Sequence, residues 1–229
     1  MSDSNEAAAE DAPLVHESAL RVLGLLEAPD SPLAEETPLF AAERGFAARE
    51  GGPLTRAFLA AIPWADELIV DSSLVWLMPG LAHGFPAPHG RRGPRAPLRF
   101  LHEPFPGCDE GVRGAANRNR AARHWLCVLG HEATPEAALG TLAFERPDLA
   151  AEFWFPREGF ELREAEVERR LLEGSLRREP LPRRALVEFG WGTLLRWRPA
   201  ASTGFQFVLR ATAGAERPAV NGRRNLSMV

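Results

Sequence analysis

The sequence contains no lysine and no tyrosine, and these two absences remove whole classes of catalytic group. All 27 basic residues are arginines. Without lysine no side-chain Schiff base can form, and without tyrosine no phenol is available as an acid or base. Alanine, arginine, glycine and proline are abundant and isoleucine is scarce, so we attribute the missing lysine to a GC-rich coding sequence.

Cysteines and long apolar runs are also scarce. Cys108 and Cys127 are too few for a disulfide framework or a zinc pattern. Cys127 lies in an apolar run and is expected to be a small core residue, whereas Cys108 lies in a predicted loop. The acidic N-terminus lacks the basic and apolar regions of a signal peptide, and no run approaches the length of a membrane span. We therefore expect a cytoplasmic protein with no membrane partner.

What is present is typical of one folded domain. The chain has 229 residues, of which 45% are hydrophobic, with six tryptophans and thirteen phenylalanines, enough to build a sizeable core. The net charge of −4 gives no global attraction to nucleic acid or to a membrane surface.

The first third of the chain has helical patterns. Residues 1–14 are predicted to be a disordered acidic tail, and residues 15–66 a helical flank. Helices are predicted over residues 16–28, 35–49 and 53–61, the last because Pro53 suits a first helical turn.

From residue 67 onward the pattern changes to short apolar segments bounded by glycine or proline. These segments predict strands over residues 68–78, 97–102, 123–129, 152–155, 184–189, 192–197 and 204–212. A charged stretch over residues 163–178 predicts one surface helix among them. The order of elements favours a mainly β fold with flanking helices, a sandwich or a jelly roll spanning residues 67–229.

The segment from Val70 to Arg95, VDSSLVWLMPGLAHGFPAPHGRRGPR, carries most of the functional information. It reads as a buried strand, a Pro-Gly turn, and then His83 and His89 among prolines and glycines. A mononuclear iron oxygenase site needs two histidines and one carboxylate. A His-x-Asp pair on a strand supplies two of these ligands, because residues i and i+2 lie on the same side. Here Arg91, followed by Arg92, stands where that carboxylate would be.

This segment resembles a family of mostly uncharacterised bacterial and phage proteins related to the Fe(II)/2-oxoglutarate-dependent oxygenases. The family pattern has an Asp-Ser strand, Leu-Met-Pro-Gly, a Pro-rich turn into a His-x-Asp motif, and a distal strand with His-Arg followed by Pro-Ala. The matching positions are Asp71, Ser72, Leu77, Met78, Pro79, Gly80, Pro86, His89, Pro94, Arg95, Phe189, Trp191, Thr193, Arg196, Pro199 and Ala200. The resemblance covers roughly residues 67–229 and implies a double-stranded β-helix, also called a jelly-roll or cupin-like fold.

The departures from the family pattern concern the metal ligands. His89 is kept, but Arg91 replaces the carboxylate and Leu195 replaces the distal histidine. At about 4 Å, two unit charges repel by roughly 4 kcal/mol at an effective dielectric constant of about 20, and a divalent metal doubles this. We therefore expect no cofactor, with Fe(II) and 2-oxoglutarate as the alternative.

Three interpretations of His89 are open. It could be a metal ligand in a rebuilt site, with His83, His102 or Glu103 as partners. It could line a pocket for a small anionic ligand, together with Arg91, Arg196 and Arg210. Otherwise it satisfies backbone groups in a Pro-rich turn.

Arg210 resembles the arginine that binds the co-substrate carboxylate in the oxygenases. Its alternative is a strand-end arginine paired with a surface acid. The nearby Gln206 stands where the family pattern has an arginine, which weakens the case for 2-oxoglutarate.

The span from His89 to His124 has eight arginines against three carboxylates. It could form a phosphate-binding face with Trp125 as a stacking platform, or a solvated loop beside a core tryptophan. The favoured hypothesis is an oxygenase-like protein with a degenerate iron site that binds an anionic ligand or partner. The alternatives are an active hydroxylase with a rebuilt metal site and a nucleic-acid-associated module using the Arg-rich span.

Overall fold

Two antiparallel sheets make up most of the computed structural model, which describes residues 12–27, 33–63, 67–80, 119–154, 161–215, 218–223 and 227–228. The prediction of a mainly β fold with flanking helices is confirmed. The predicted strand at 97–102 and most of the acidic tail lie outside the described residues.

The larger sheet has seven strands. Along its main path the order is β13, β5, β11, β6, β9 and β2, and β4 also pairs with β5. The strands are β2 (Leu20–Leu25), β4 (Ala42–Glu43), β5 (Leu68–Leu77), β6 (Arg123–Gly130), β9 (Ala185–Gly190), β11 (Gly204–Ala213) and β13 (Ser227–Met228). Strand β11 is central and pairs along its whole length with β5, from Gly204 opposite Leu77 to Ala213 opposite Leu68.

The smaller sheet is organised around β7, which pairs with the other three strands. Its strands are β1 (Val15–Ser18), β7 (Pro135–Ala143), β8 (Leu176–Pro180) and β10 (Leu194–Trp197). Strand β10 pairs with the start of β7 and β1 with its end. A separate two-stranded ladder joins β3 (Leu39–Phe40) to β12 (Gly222–Arg223).

The helices cover the outer faces of the two sheets. They are α1 (Arg44–Glu50), α2 (Pro53–Ala61), α3 (Pro147–Trp154) and α4 (Glu161–Glu173). One core joins α1 and α2 to the larger sheet, with Phe58 and Phe207 fully buried in it. A second core lies between the sheets, and a third joins α3 and α4 to the smaller sheet. The layers therefore run helix, sheet, sheet, helix.

Alternation along the strands assigns each side chain to a layer. On β10, Leu194 belongs to the core under α3 and α4, whereas Leu195 belongs to the core between the sheets. On β6, Leu126 faces the other sheet and Cys127 faces α1 and α2.

The predicted helix over residues 16–28 is wrong. The apolar spacing there fits a strand as well as a helix, and pairing with β7 and β9 decides the outcome. Gly24 has a φ of 155°, and the register with β9 shifts between Val22 and Gly24. These two strands pair with strands that follow residue 120.

The helix predicted over residues 35–49 is also wrong in its first part. Leu33–Glu35 form a 3₁₀ turn, short strands follow, and only Arg44–Glu50 are α-helical. The backbone N–H groups of Leu39 and Ala41 donate to the side chains of Ser72 and Asp71, and these hydrogen bonds tie the segment to β5. The third helix, Pro53–Ala61, is confirmed.

Two predictions in the second half need correction. Residues 152–154 belong to helix α3 rather than to a strand, and they bury Phe153 and Trp154 against the smaller sheet. The helix predicted over 163–178 ends at Glu173, because Gly174 turns the chain with a φ of 81° into strand β8. Strand β7 was not predicted. Within the described ranges no helix is long and apolar enough to cross a membrane.

Candidate binding cleft

Only some of the residues predicted for the site belong to the described part of the chain. His83, His89 and Arg91 lie between residues 81 and 118, outside the described residues, as do Arg92, His102 and Glu103. Arg196 and Arg210 are described. The ligand-binding roles of all these residues stay predictions.

Arg196 lies on β10, on the face covered by α4. Its guanidinium contacts Glu136 of β7 at 2.5 Å and Glu164 and Glu168 of α4 at 2.9 Å each. Burial lowers the pKa of Arg196, but the hydrogen bonds to these carboxylates outweigh it and the net shift is upward. The network ties α4 to the smaller sheet, and its carboxylates occupy donors that an external anion would need.

Arg210 lies in the middle of β11, opposite Asp71 of β5. Its guanidinium carbon is 5.9 Å from the ring centre of Trp197, a cation–π distance. Trp197 and Arg196 are neighbours on β10 and point to opposite faces of the strand. The structure therefore does not bring Arg196 and Arg210 onto one face of the smaller sheet.

A cleft of about 680 Å³ opens at one end of the two sheets. It lies where the connection between β6 and β7 meets the connection between β10 and β11. Its lining residues are Glu132, Ala133, Glu136, Arg196, Trp197, Arg198, Pro199 and Ala201. Gly80, the last residue described before the gap, donates its N–H to the carbonyl of Ala200 beside this cleft at 2.8 Å.

Arg198 is the cation of this cleft that lacks a carboxylate partner in the described part of the chain. Its Nε donates to the carbonyl of Thr134 at 2.9 Å, and its Nη2 to the Thr134 hydroxyl at 3.1 Å. Both acceptors are neutral. The guanidinium is held in place, and its charge is not compensated by the described residues around it.

A chain of hydrogen bonds reaches the cleft through His131. The backbone N–H of Ala133 donates to Nδ1 of His131 at 3.1 Å, so Nδ1 is an acceptor and Nε2 carries the ring proton. Nε2 lies 3.0 Å from the Ser202 hydroxyl, and that hydroxyl donates to Glu132 over a long 3.5 Å. With this tautomer the histidine donates to the serine and cannot act as its general base, so the pair is not a nucleophilic dyad.

His124 is a second buried histidine, on the face of β6 between the sheets. Its Nδ1 lies 3.0 Å from the Thr212 hydroxyl, its ring stacks on Phe189, and its Nε2 has no hydrogen-bond partner among the described residues. Burial lowers its pKa to about 4, so the ring is neutral at physiological pH. Phe189 occupies one of the positions that match the oxygenase-like pattern.

The described residues do not fit the metal site of the oxygenases. Leu195, at the distal histidine position, is 7% exposed among aliphatic side chains of the core between the sheets and offers no donor atom. No group of three histidine, cysteine or acidic residues in the described ranges could hold a metal ion.

Cys127 is a buried residue of the core, as predicted, and burial raises the pKa of its thiol to about 12. Trp125 is also buried, at 1% exposure, so its ring belongs to the core and is not a stacking platform. Arg123, at the end of the Arg-rich span, pairs with Glu188.

Several residues that shape the cleft were not predicted from the sequence: Arg198, Thr134, His131, Ser202 and Glu132. Most of them lie in the connections on either side of β7 and β10. Because β7 was not predicted, the turn at residues 131–134 was not recognised as a link between two strands. The sequence RWRPA, with two arginines separated by one residue at a strand end, was the available signal.

The fold and the cleft define a mainly β protein with helix-covered sheets and a polar cleft at one end. Comparison with known proteins adds no relative, because no family model, no curated protein and no solved structure matches the chain.

Proposed function

We propose that this chain binds a small ligand through an anionic group in the cleft at Arg198, without iron chemistry. The supporting observation is a guanidinium that lines the cleft, contacts only neutral acceptors of Thr134, and has no carboxylate partner in the described ranges. Arginine presents a planar fork of donors that matches carboxylate and phosphate groups. Because Thr134 already orients Arg198, little side-chain entropy is lost on binding.

The proposal includes an origin in the oxygenase-like family, with the two packed sheets as a degenerate double-stranded β-helix. Three positions that match the family pattern, Phe189, Trp191 and Thr193, are buried on and after β9. Leu195 leaves no ligand for iron at the distal position. The proposal further places the protein in the cytoplasm, as the sequence analysis predicts.

The test is calorimetric titration of the full chain with butanoate, succinate and inorganic phosphate, together with thermal unfolding in the same anions. We expect at least one anion to raise the melting temperature. At an anion concentration of a hundred times the dissociation constant, the free energy of unfolding should increase by about 2.7 kcal/mol. The Arg198→Gln variant should lose this gain. Arg177→Gln, an exposed arginine on β8, is the matched control and should keep it.

Two results would count against the proposal. The first is the absence of any shift with any of these anions. The second is a shift that Arg198→Gln retains. Near-equimolar iron in the purified protein, with conversion of 2-oxoglutarate to succinate, would favour the hydroxylase alternative instead. Salt-dependent binding of DNA or RNA would favour the nucleic-acid alternative.

A further inference from the structure

The cleft contains a second charge with no ion-pair partner among the described residues, the carboxylate of Glu132. It lines the cleft together with Arg198. The two other charged residues in the lining, Glu136 and Arg196, form an ion pair with each other. None of the ion pairs among the described residues includes Glu132 or Arg198, so the cleft presents one free anion and one free cation of the protein.

The orientation of Glu132 has a structural basis in the hydrogen-bond chain from His131. The imidazole is buried at 8% exposure, and Gly204 packs so closely that an added Cβ would lie 2.9 Å from its Cδ2. The ring therefore has little freedom, and it holds the Ser202 hydroxyl that donates to Glu132. The buried His131 thus reaches the exposed carboxylate of Glu132 through Ser202, the last contact being a long one of 3.5 Å.

The surface beside these two charges is partly apolar, contributed by Trp197, Pro199, Ala133 and Ala201. The volume of about 680 Å³ lies within the range that is usual for small-molecule sites. A ligand with one charged group would meet Arg198 or Glu132 and leave the other unpaired. An anion with a second negative group would be repelled by Glu132.

We propose that the ligand is a zwitterion. Its carboxylate or phosphate binds Arg198, its ammonium or guanidinium group binds Glu132, and a short aliphatic part crosses the apolar surface. This inference rests on the proposed function, because it takes the anionic end of the ligand at Arg198 as given. It adds the cationic end and makes Glu132 a specificity-determining residue.

The test is calorimetric titration of the full chain with ω-amino acids from glycine to 6-aminohexanoate. Each is compared with the carboxylate and the amine of the same chain length. We expect the best ω-amino acid to bind about tenfold more tightly than its matched carboxylate, the effect of about 1.4 kcal/mol for a second ion pair in a partly shielded cleft. Glu132→Gln should erase this preference and leave carboxylate affinity nearly unchanged.

The matched controls separate this inference from the proposed function. Glu145→Gln removes an exposed carboxylate beyond the opposite end of β7 and should keep the preference. Ser202→Ala removes the donor to Glu132 and should reduce the preference without reducing carboxylate affinity. Arg198→Gln should weaken both the carboxylate and the ω-amino acid.

Each other outcome overturns a definite claim. Carboxylate binding with no preference for ω-amino acids, or a preference that survives in Glu132→Gln, overturns the zwitterion and leaves the proposed function standing. Binding of amines without carboxylates overturns the role of Arg198 and with it the proposed function. The absence of all binding overturns both.

Discussion

The two helical layers are anchored by buried charges of opposite sign. In the layer of α1 and α2, the carboxylate of Glu36 sits at the N-terminus of α2. It accepts from the N–H groups of Gly52, Leu54 and Thr55 and from the Thr55 hydroxyl. In the layer of α3 and α4, the guanidinium of Arg163 sits at the C-terminus of α3 and donates to the carbonyls of Phe153 and Trp154, each at 2.6 Å.

The difference follows from the polarity of the helix. The first N–H groups and the last carbonyls of a helix have no partner within it, and the helix dipole favours an anion at one end and a cation at the other. Gly52 is needed for the close approach at α2, because an added Cβ would lie 2.4 Å from a carboxylate oxygen of Glu36. Arg163 belongs to the first turns of α4, where its own helix disfavours a cation, so its position is explained by α3 instead.

The largest effect is expected from Arg163→Ala. Burial lowers the pKa of Arg163 to about 9, which leaves it charged at neutral pH. Its loss leaves two carbonyls unpaired and opens a cavity beside Phe153, for a cost of about 3 to 4 kcal/mol in the free energy of unfolding. Urea denaturation checks this. Arg163→Met keeps most of the volume and should recover part of the loss, whereas Arg169→Ala, exposed on the same helix, should change little.

A smaller effect is expected from Glu36→Ala. The variant leaves the N-terminal N–H groups of α2 without their acceptor, at a cost of about 2 to 3 kcal/mol. Glu36→Gln keeps one acceptor oxygen, so its free energy of unfolding should fall by roughly half as much as in Glu36→Ala. The exposed neighbour Glu35→Ala is the control. Hydrogen exchange at the amides of Leu54 and Thr55 should quicken in Glu36→Ala, and unchanged exchange there would contradict the capping role.

Neither anchor was predictable from the sequence, although much of the secondary structure was. Helix α2 and the strands of the larger sheet after residue 67 have clear turn residues and continuous apolar runs. Strand β7 has the sequence PEAALGTLA, whose alanines favour a helix. It is a strand because three other strands pair with it and its small side chains fit between two cores, which is information from distant parts of the chain.

The candidate cleft shows the same limit. Arg196 and Arg210 were selected from the sequence as ligand-binding residues, but their partners in the fold were not visible there. Arg196 is compensated by carboxylates 28 to 60 residues away. Arg198 lies two positions further along the chain, and among the described residues its guanidinium donates only to Thr134. Local sequence distinguishes the two poorly, because the difference lies in what packs against each.

A third buried group, His124, is held without charge, because burial lowers its pKa to about 4. Both anchors are placed against the unpaired backbone groups of a helix end, whereas His124 lies between the sheets beside the Thr212 hydroxyl and Phe189. Protonation would place an unpaired cation in the core between the sheets.

The smallest of the three effects is therefore a dependence of stability on pH. The pKa of His124 is lowered from 6.5 to about 4 in the folded protein, so the unfolded chain takes up the proton more readily. The contribution of His124 to stability is fully present above the unfolded pKa and falls as the pH drops toward 4. Between pH 7 and pH 5 this residue lowers the free energy of unfolding by about 2 kcal/mol. Burial also lowers the pKa of the half-buried His16, which adds to the pH dependence in the same direction.

Urea unfolding of the wild type and of His124→Asn isolates the contribution of His124. The amide of the variant keeps a contact to Thr212 and does not titrate. The two pH profiles should converge as the pH falls, and parallel profiles would show that the pKa of His124 is not lowered in the folded protein.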